Sequence, residues 1–190
     1  MKNFSVSLLH TAWTEEEKKQ LDESIEFVEN YNGTGYIADA CLYLYNLLRV
    51  DYILVTVVDL EPVPMVNSLV FLQKGIIAKN ISYPLLGSPC EGVYGKEQNY
   101  YPGGVQDLFP KNDLLVAMQV KSYLGVPIFD KHENGLGCIA LLHSNIIGRG
   151  GFVEALINVM LPRLEEELNK ACSSTQSRES FLQIMAEMAH

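Results

Sequence analysis

No run of apolar residues in this chain approaches the roughly 20 needed to cross a bilayer as a helix. The first ten residues, Met1-Lys2-Asn3-Phe4-Ser5-Val6-Ser7-Leu8-Leu9-His10, lack the apolar stretch of about 7 or more and the small-residue cleavage site of a secretory signal. A cytoplasmic location without a membrane segment is therefore expected. Basic residues are scarce, 14 Lys and Arg against 23 Asp and Glu, and no basic run offsets the net charge of −9. That balance repels phosphate backbones, so no nucleic-acid partner is expected. The longest charge run, Glu15-Glu16-Glu17-Lys18-Lys19, changes sign in its middle and reads as a solvated helix start.

Catalytic patterns are missing as well. The four cysteines, Cys41, Cys90, Cys138 and Cys172, form no C-x-x-C and no Cys/His spacing of a zinc site. They read as reduced thiols, and neither a metal nor a cofactor is expected. His10, His132, His143 and His190 are scattered, and no G-x-S-x-G, H-E-x-x-H or P-loop occurs. Asp107 and Asp113 flank Phe109-Pro110 and read as helix caps or solvated carboxylates rather than an acid/base pair. These absences lead to the expectation that the chain is not an enzyme.

What the sequence does hold is enough apolar material for one core: 48% hydrophobic residues, 19% charged and only 8 prolines over 190 positions. Thr14-Glu15-Glu16-Glu17 is a capping box that starts a helix with Leu21, Ile25 and Val28 on its apolar side. A second helix follows with Ile37, Cys41, Leu44 and Leu48 in one stripe, widened by Ala40 and Leu47. Tyr52 to Val58 is a β-branched run without polar alternation, which predicts a central strand covered on both faces. Ser68 to Gln73 predicts a neighbouring strand. Tyr83 to Leu108, rich in Gly, Pro and Tyr, reads as loop material and as the place where a ligand would bind. A short helix is predicted over 112–117. Ser122 to Phe129 and Leu136 to His143 form a hairpin closed by Asn134-Gly135, with Pro127 predicting a bulge or an unpaired position. Phe152, Leu156, Val159, Leu164 and Leu168 predict a final helix bent at Pro162. Residues 1–13 read as a leader, 14–170 as the domain, and 171–190 as a polar hinge and the start of a connector helix.

Several phrases of the middle region occur together: Tyr83-Pro84-Leu85-Leu86-Gly87-Ser88-Pro89-Cys90, Tyr101-Pro102, Val105-Gln106-Asp107-Leu108-Phe109-Pro110, Ser122-Tyr123-Leu124-Gly125-Val126-Pro127 and Gly135-Leu136-Gly137. As a set they resemble the GAF domains of bacterial sensor histidine kinases and related signalling proteins, over roughly the second helix to Leu168. The resemblance implies an α/β (α+β) fold: a central antiparallel sheet with the terminal helices on one face and a loop and short-helix insertion on the other. It also implies a pocket under the insertion, lined here by Tyr83, Ser88, Cys90, Val93, Tyr94, Tyr101, Phe109, Leu114 and Tyr123. The same side chains suit a small second core that lets the loop pack.

The function implied is that of a sensory or regulatory domain. A small molecule would fill the pocket and change how the terminal helices of a homodimer pack, driving a kinase or cyclase output domain in a longer protein. A ligand-free dimerisation scaffold is an alternative. Attachment of a linear tetrapyrrole is disfavoured, because Cys90 is followed by Glu91 and no Cys-His pair exists. The cyclic-nucleotide signature has no counterpart here. A GAF-fold methionine sulfoxide reductase is a further alternative. It is disfavoured because 101–115 lacks a second cysteine and Cys138 falls in a predicted strand. Phe181 to His190 resembles the helix around a phosphoacceptor histidine but reads better as a linker helix.

Overall fold

The computed structural model describes residues 13–172. The leader before Trp13, the hinge and connector after Cys172, and His190 lie outside the described residues. The first helix, α1 (Glu15–Glu29), begins at the capping box: the Glu17 amide donates to the Thr14 hydroxyl at 3.1 Å and the Thr14 amide to the Glu17 carboxylate at 2.6 Å. Such a cap stabilises a helix by about 1 kcal/mol. The second Glu17 oxygen accepts from Arg149 Nε at 2.7 Å, which fastens the start of α1 to the turn preceding the last helix.

The buried side of α1 differs from the expected stripe. Ile25 is 41% exposed, whereas Ser24 is fully buried. Phe27 stacks on Tyr43 with ring centroids 4.5 Å apart, and this turns Ser24 inward, where its hydroxyl donates to the Gln20 carbonyl at 2.6 Å. Helix α2 (Tyr36–Leu48) buries Tyr36, Ala40, Cys41 and Leu44, and ends at Arg49 in the left-handed conformation.

Among the described residues seven antiparallel strands make one sheet: β1 (Tyr52–Asp59), β2 (Met65–Gln73), β3 (Ile76–Ala78), β4 (Ser82–Pro84), β5 (Asn99–Tyr101), β6 (Ser122–Phe129) and β7 (Gly135–His143). Their order is β3-β2-β1-β7-β6-β5, with β4 also on β2, so β1 is central as its apolar run requires. The short strand β5 is one of the short pieces of structure expected within the loop material, and β3 and β4 escape sequence reading because three residues are too few to display a period. The insertion also holds a 3-10 turn (Pro89–Gly92) and two short helices, α3 (Val105–Leu108) and α4 (Asp113–Ala117). Asn112 caps α4 by accepting from the Leu115 amide at 3.2 Å.

Two expectations for the β6–β7 hairpin are corrected. Its left-handed residue is Glu133, φ 64°, and not the Asn134-Gly135 pair. Asp130 closes the turn instead, accepting from the amides of His132 at 2.7 Å and Asn134 at 2.8 Å. Pro127 causes no bulge: it pairs with Cys138, and the irregularity falls between Ile128 and Phe129. Strand β5 pairs only with Tyr123 to Gly125, so Pro127 borders no outer strand that needs its missing donor. At Phe129, which still pairs with Gly135, helix α5 (Gly150–Cys172) adds side-chain bonds. Glu165 accepts from the Phe129 amide at 3.0 Å, and Asn169 donates to its carbonyl at 3.4 Å.

Pro162 lies inside α5 on its exposed side without ending it, and the helix includes the first two residues of the expected hinge. Phe152, Leu156, Leu164 and Leu168 are buried as expected; Val159 is only half-buried, and Val153, Ile157 and Met160 fill its place.

Strand alternation divides the interior into two cores. Ile53, Val55, Leu124, Val126, Ile139 and Leu141 face α1, α2 and α5. Tyr52, Leu54, Tyr123, Cys138, Ala140 and Leu142 face the insertion. A bulge at Leu69, which is skipped between the pairs Val55–Val70 and Thr56–Ser68, turns both Leu69 and Val70 toward the helices. Helices on one face and the insertion on the other is the layering that the resemblance to GAF domains implied.

Asp51, His143 and Ser144 bring together the residue types of a hydrolytic triad, but the geometry is structural. Asp51 Oδ2 accepts from His143 Nδ1 at 2.8 Å and from the Ser144 amide and hydroxyl at 2.8 and 2.6 Å, so the serine is bound to the carboxylate and not to the imidazole. Partial burial pushes the Asp51 carboxyl up, but the two Ser144 bonds and His143 outweigh it and leave the group below its ordinary value. Stability from a depressed carboxyl is present above its unfolded pKa, about 3.9, and is lost as pH falls through the folded value. Asp51→Asn is therefore expected to cost about 1–2 kcal/mol at neutral pH. In urea titrations that difference from wild type should shrink below about pH 4; a difference that stays constant down to acid pH would refute the assignment.

Candidate functional site

Five elements meet at the centre of the insertion face. Strand β4 brings Tyr83, the 3-10 turn brings Cys90, β6 brings Tyr123, β7 brings Cys138 and β1 brings Thr56. Cys90, Tyr123, Cys138 and Thr56 are each at most 2% exposed. The Cys138 thiol donates to the Cys90 sulfur across 3.6 Å. The Tyr83 and Tyr123 hydroxyls lie 3.3 and 3.5 Å from Cys90 Sγ. Thr56 Oγ1 lies 3.4 Å from Cys138 Sγ while it accepts from the Cys138 amide at 3.2 Å.

The two thiols are electrostatically unequal. The hydrogen bond from Cys138 draws Cys90 toward thiolate; burial opposes this, and Tyr123, Tyr83 and Ser88 reinforce it, so its pKa lies below the ordinary thiol value. The same Cys90–Cys138 bond, with burial, pushes the Cys138 thiol up. Burial, and after it the neighbouring thiols, raise both phenols, which keeps Tyr83 and Tyr123 protonated as donors. Cys41, buried without such partners, is pushed up to about 12 by burial.

A small cavity adjoins Cys90, with a volume of about 20 Å³, which is room for about one water. Of the nine residues expected to line a pocket, Tyr83, Cys90, Leu114 and Tyr123 do so. The remaining wall comes from Leu54, Ala140 and Leu142 on the sheet and from Pro89, Asn112, Leu115 and Met118 on the insertion. Ser88 is buried nearby, its hydroxyl donating to the Leu85 carbonyl at 2.8 Å. Val93, Tyr94, Tyr101 and Phe109 belong to the surrounding core and do not border the cavity. Tyr101 packs edge-on to Phe109 at 5.7 Å and tilted against Tyr123 at 6.0 Å. Two larger hollows, about 420 and 520 Å³, adjoin Lys121 and Asn145, outside this core.

The expectation that no second thiol can reach Cys90 is overturned by the 3.6 Å separation from Cys138. Lying in a strand did not remove Cys138 from the site, because that strand forms the floor of the insertion core. The legible signal was the hairpin register. Tyr123 pairs with Leu142, and period two then carries Ala140 and Cys138 to the same face as Tyr123. Among the described residues no group of three or more His, Cys, Asp or Glu could hold a metal ion.

Sheet order, helix layer and insertion together define a GAF fold, the class anticipated from the sequence phrases. Solved structures agree with it. The GAF domain of an Acinetobacter phosphoenolpyruvate-protein phosphotransferase superposes with a TM-score of 0.63 at 12% identity, over 85% of this chain and 98% of that one. The chromophore-binding domain of a Stigmatella aurantiaca bacteriophytochrome gives 0.60 at 10% identity, over 86% of this chain and 61% of that one. A red/green cyanobacteriochrome gives 0.54 at 17% identity, over 71% of this chain and 92% of that one. The chain thus spans nearly all of the first and less than two thirds of the second. No protein-family model and no curated protein matches the sequence.

Proposed function

We propose that this chain is a sensory GAF domain. A small molecule entering beside Cys90 is its input, and the packing of α1 and α5, within a homodimer built on those helices, is its output. The observation that carries this reading is the sharing of strands between the two cores. On β1 the cavity residue Leu54 lies between Ile53 and Val55 of the helix-side core. On β7 Ala140 and Leu142 alternate with Ile139 and Leu141 in the same way. A shift of the sheet side of the cavity wall is therefore a shift of the floor on which the helices rest. A kinase or cyclase domain in a longer protein is the proposed recipient, and no catalysis by the domain itself is part of the reading. Among the described residues no helix is long and apolar enough to cross a membrane.

The scaffold alternative draws on the cavity's volume, which admits no metabolite or tetrapyrrole unless the insertion opens. Ligand-dependent melting separates the two. A ligand present at a hundred times its Kd stabilises the protein by about 2.7 kcal/mol. For a domain of this size that raises Tm by roughly 5–10 °C. Screening the purified chain against amino acids, nucleotides, organic acids and small oxidants is expected to yield such a shift, with altered amide exchange in α1 and α5. Cooperative melting of a stable dimer with no shift across the panel would leave the scaffold reading in its place.

A further inference from the structure

We propose that Cys90 and Cys138 form a reactive dithiol, which a small hydroperoxide oxidises to a disulfide at the floor of the insertion core. The sulfurs are 3.6 Å apart, and a disulfide holds them at about 2.05 Å, so closure needs an approach of about 1.6 Å. Cys90 sits on the 3-10 turn of the insertion, so the turn can make most of that approach, while Cys138 on β7 takes the rest into the sheet. The sulfurs also differ in access: Cys90 borders the cavity, and Cys138 lies behind it and does not. A volume of about 20 Å³ excludes a methionine sulfoxide in the closed state, whereas hydrogen peroxide, one oxygen larger than the water it has room for, enters with the least opening of the insertion.

The chemistry balances with the peroxide as sole oxidant. The Cys90 thiolate attacks one peroxide oxygen and an S–O bond forms as the O–O bond breaks. The electron pair leaves on the other oxygen, which takes up a proton and departs as water. The two phenols held against Cys90, Tyr83 and Tyr123, are the proton donors at that point. Cys90 is now a sulfenic acid. The Cys138 sulfur gives up its proton and attacks the Cys90 sulfur, the S–S bond forms as the S–O bond breaks, and a second water leaves. One dithiol and one hydrogen peroxide yield one disulfide and two waters. Placing this site at the input of the domain rests on the sensory reading above, whereas the bond chemistry stands on the geometry alone.

The test treats the full chain with hydrogen peroxide, denatures it in an alkylating reagent and maps the peptides. The expected result is loss of two of the four alkylatable thiols and a linked peptide pair containing Cys90 and Cys138, with Cys41 still alkylated. In Cys138→Ser, Cys90 should be trapped as a sulfenic acid by a cyclic 1,3-diketone. In Cys90→Ser, Cys138 should oxidise about tenfold or more slowly than Cys90 does in wild type. Wild-type mapping needs no folded variant. Absence of the linked pair, or loss of Cys41 as fast as Cys90, overturns the dithiol and leaves the sensory reading intact. A linked pair with unchanged amide exchange in α1 and α5 confirms the dithiol and overturns the relay.

Discussion

Gly137→Ala is expected to cost more than about 4 kcal/mol, a loss reserved for substitutions with a specific structural cause. A Cβ at Gly137 would lie 1.8 Å from the Thr56 carbonyl oxygen and 2.6 Å from its carbonyl carbon. These are backbone atoms of the central strand, so no side-chain rotation relieves the contact. Gly137 pairs with Val57 on one side and Ile128 on the other, so relieving the contact means parting β7 from β1 in the middle of the sheet. Because single domains are stable by only about 5–15 kcal/mol, a large share of the folding free energy is at stake. In thermal melts the Tm should fall by roughly 10 °C or more, or the protein should fail to fold. A variant melting within about 2 °C of wild type would show that the β1–β7 approach is looser than described.

Tyr123→Ala should be the costliest change within the site itself. The ring is 1% exposed, and it lies over Gly125: a Cβ there would fall 2.3 Å from the Tyr123 hydroxyl oxygen. Truncating a fully packed aromatic to alanine costs about 3–5 kcal/mol, from lost burial together with the cavity left behind. Tyr123→Phe keeps the packing and gives up the phenol's contact with Cys90, at about 1 kcal/mol. Urea unfolding of the pair separates packing from polar contact. A small aromatic such as phenol should recover part of the alanine variant's stability by occupying the new cavity. Equal losses for the two variants would mean that the ring's volume contributes nothing measurable to the insertion core.

Much of the fold was legible because it is written in local chemistry. The Thr14 and Glu17 cap, the apolar run of β1 and the span of the β6–β7 hairpin need only neighbouring residues to specify them. The errors came where a distant partner decides. Ile25 suits a helical stripe as well as Ser24 does, and only Phe27 stacking on Tyr43, on another helix, settles which side turns inward. Asn134-Gly135 signals a tight turn, yet Gly135 answers a different demand: a Cβ there would come within 2.9 Å of the Gly95 backbone. The aromatics of the insertion were legible as a set but not by role. Tyr83 and Tyr123 reach the thiols, while Tyr94, Tyr101 and Phe109 fill the surrounding core, and nothing in their local spacing tells the two groups apart. The thiol pair was hidden by a separation of 48 positions along the chain, although hairpin register and period two place Cys138 beneath the insertion.

The hydrogen bonds from Glu165 and Asn169 to Phe129 have a consequence for how the molecule comes apart. A hairpin tip is ordinarily among the first segments to fray, opening at little cost and independently of its surroundings. Here the tip borrows its terminal partners from α5, so the end of the β6–β7 pair and the closing turns of the helix share one opening event. Tyr123 and Cys138 stand on those same two strands. The thiol floor is thus tied to the chain's exit helix by polar clasps as well as by apolar packing, and whatever loosens one end slackens the other.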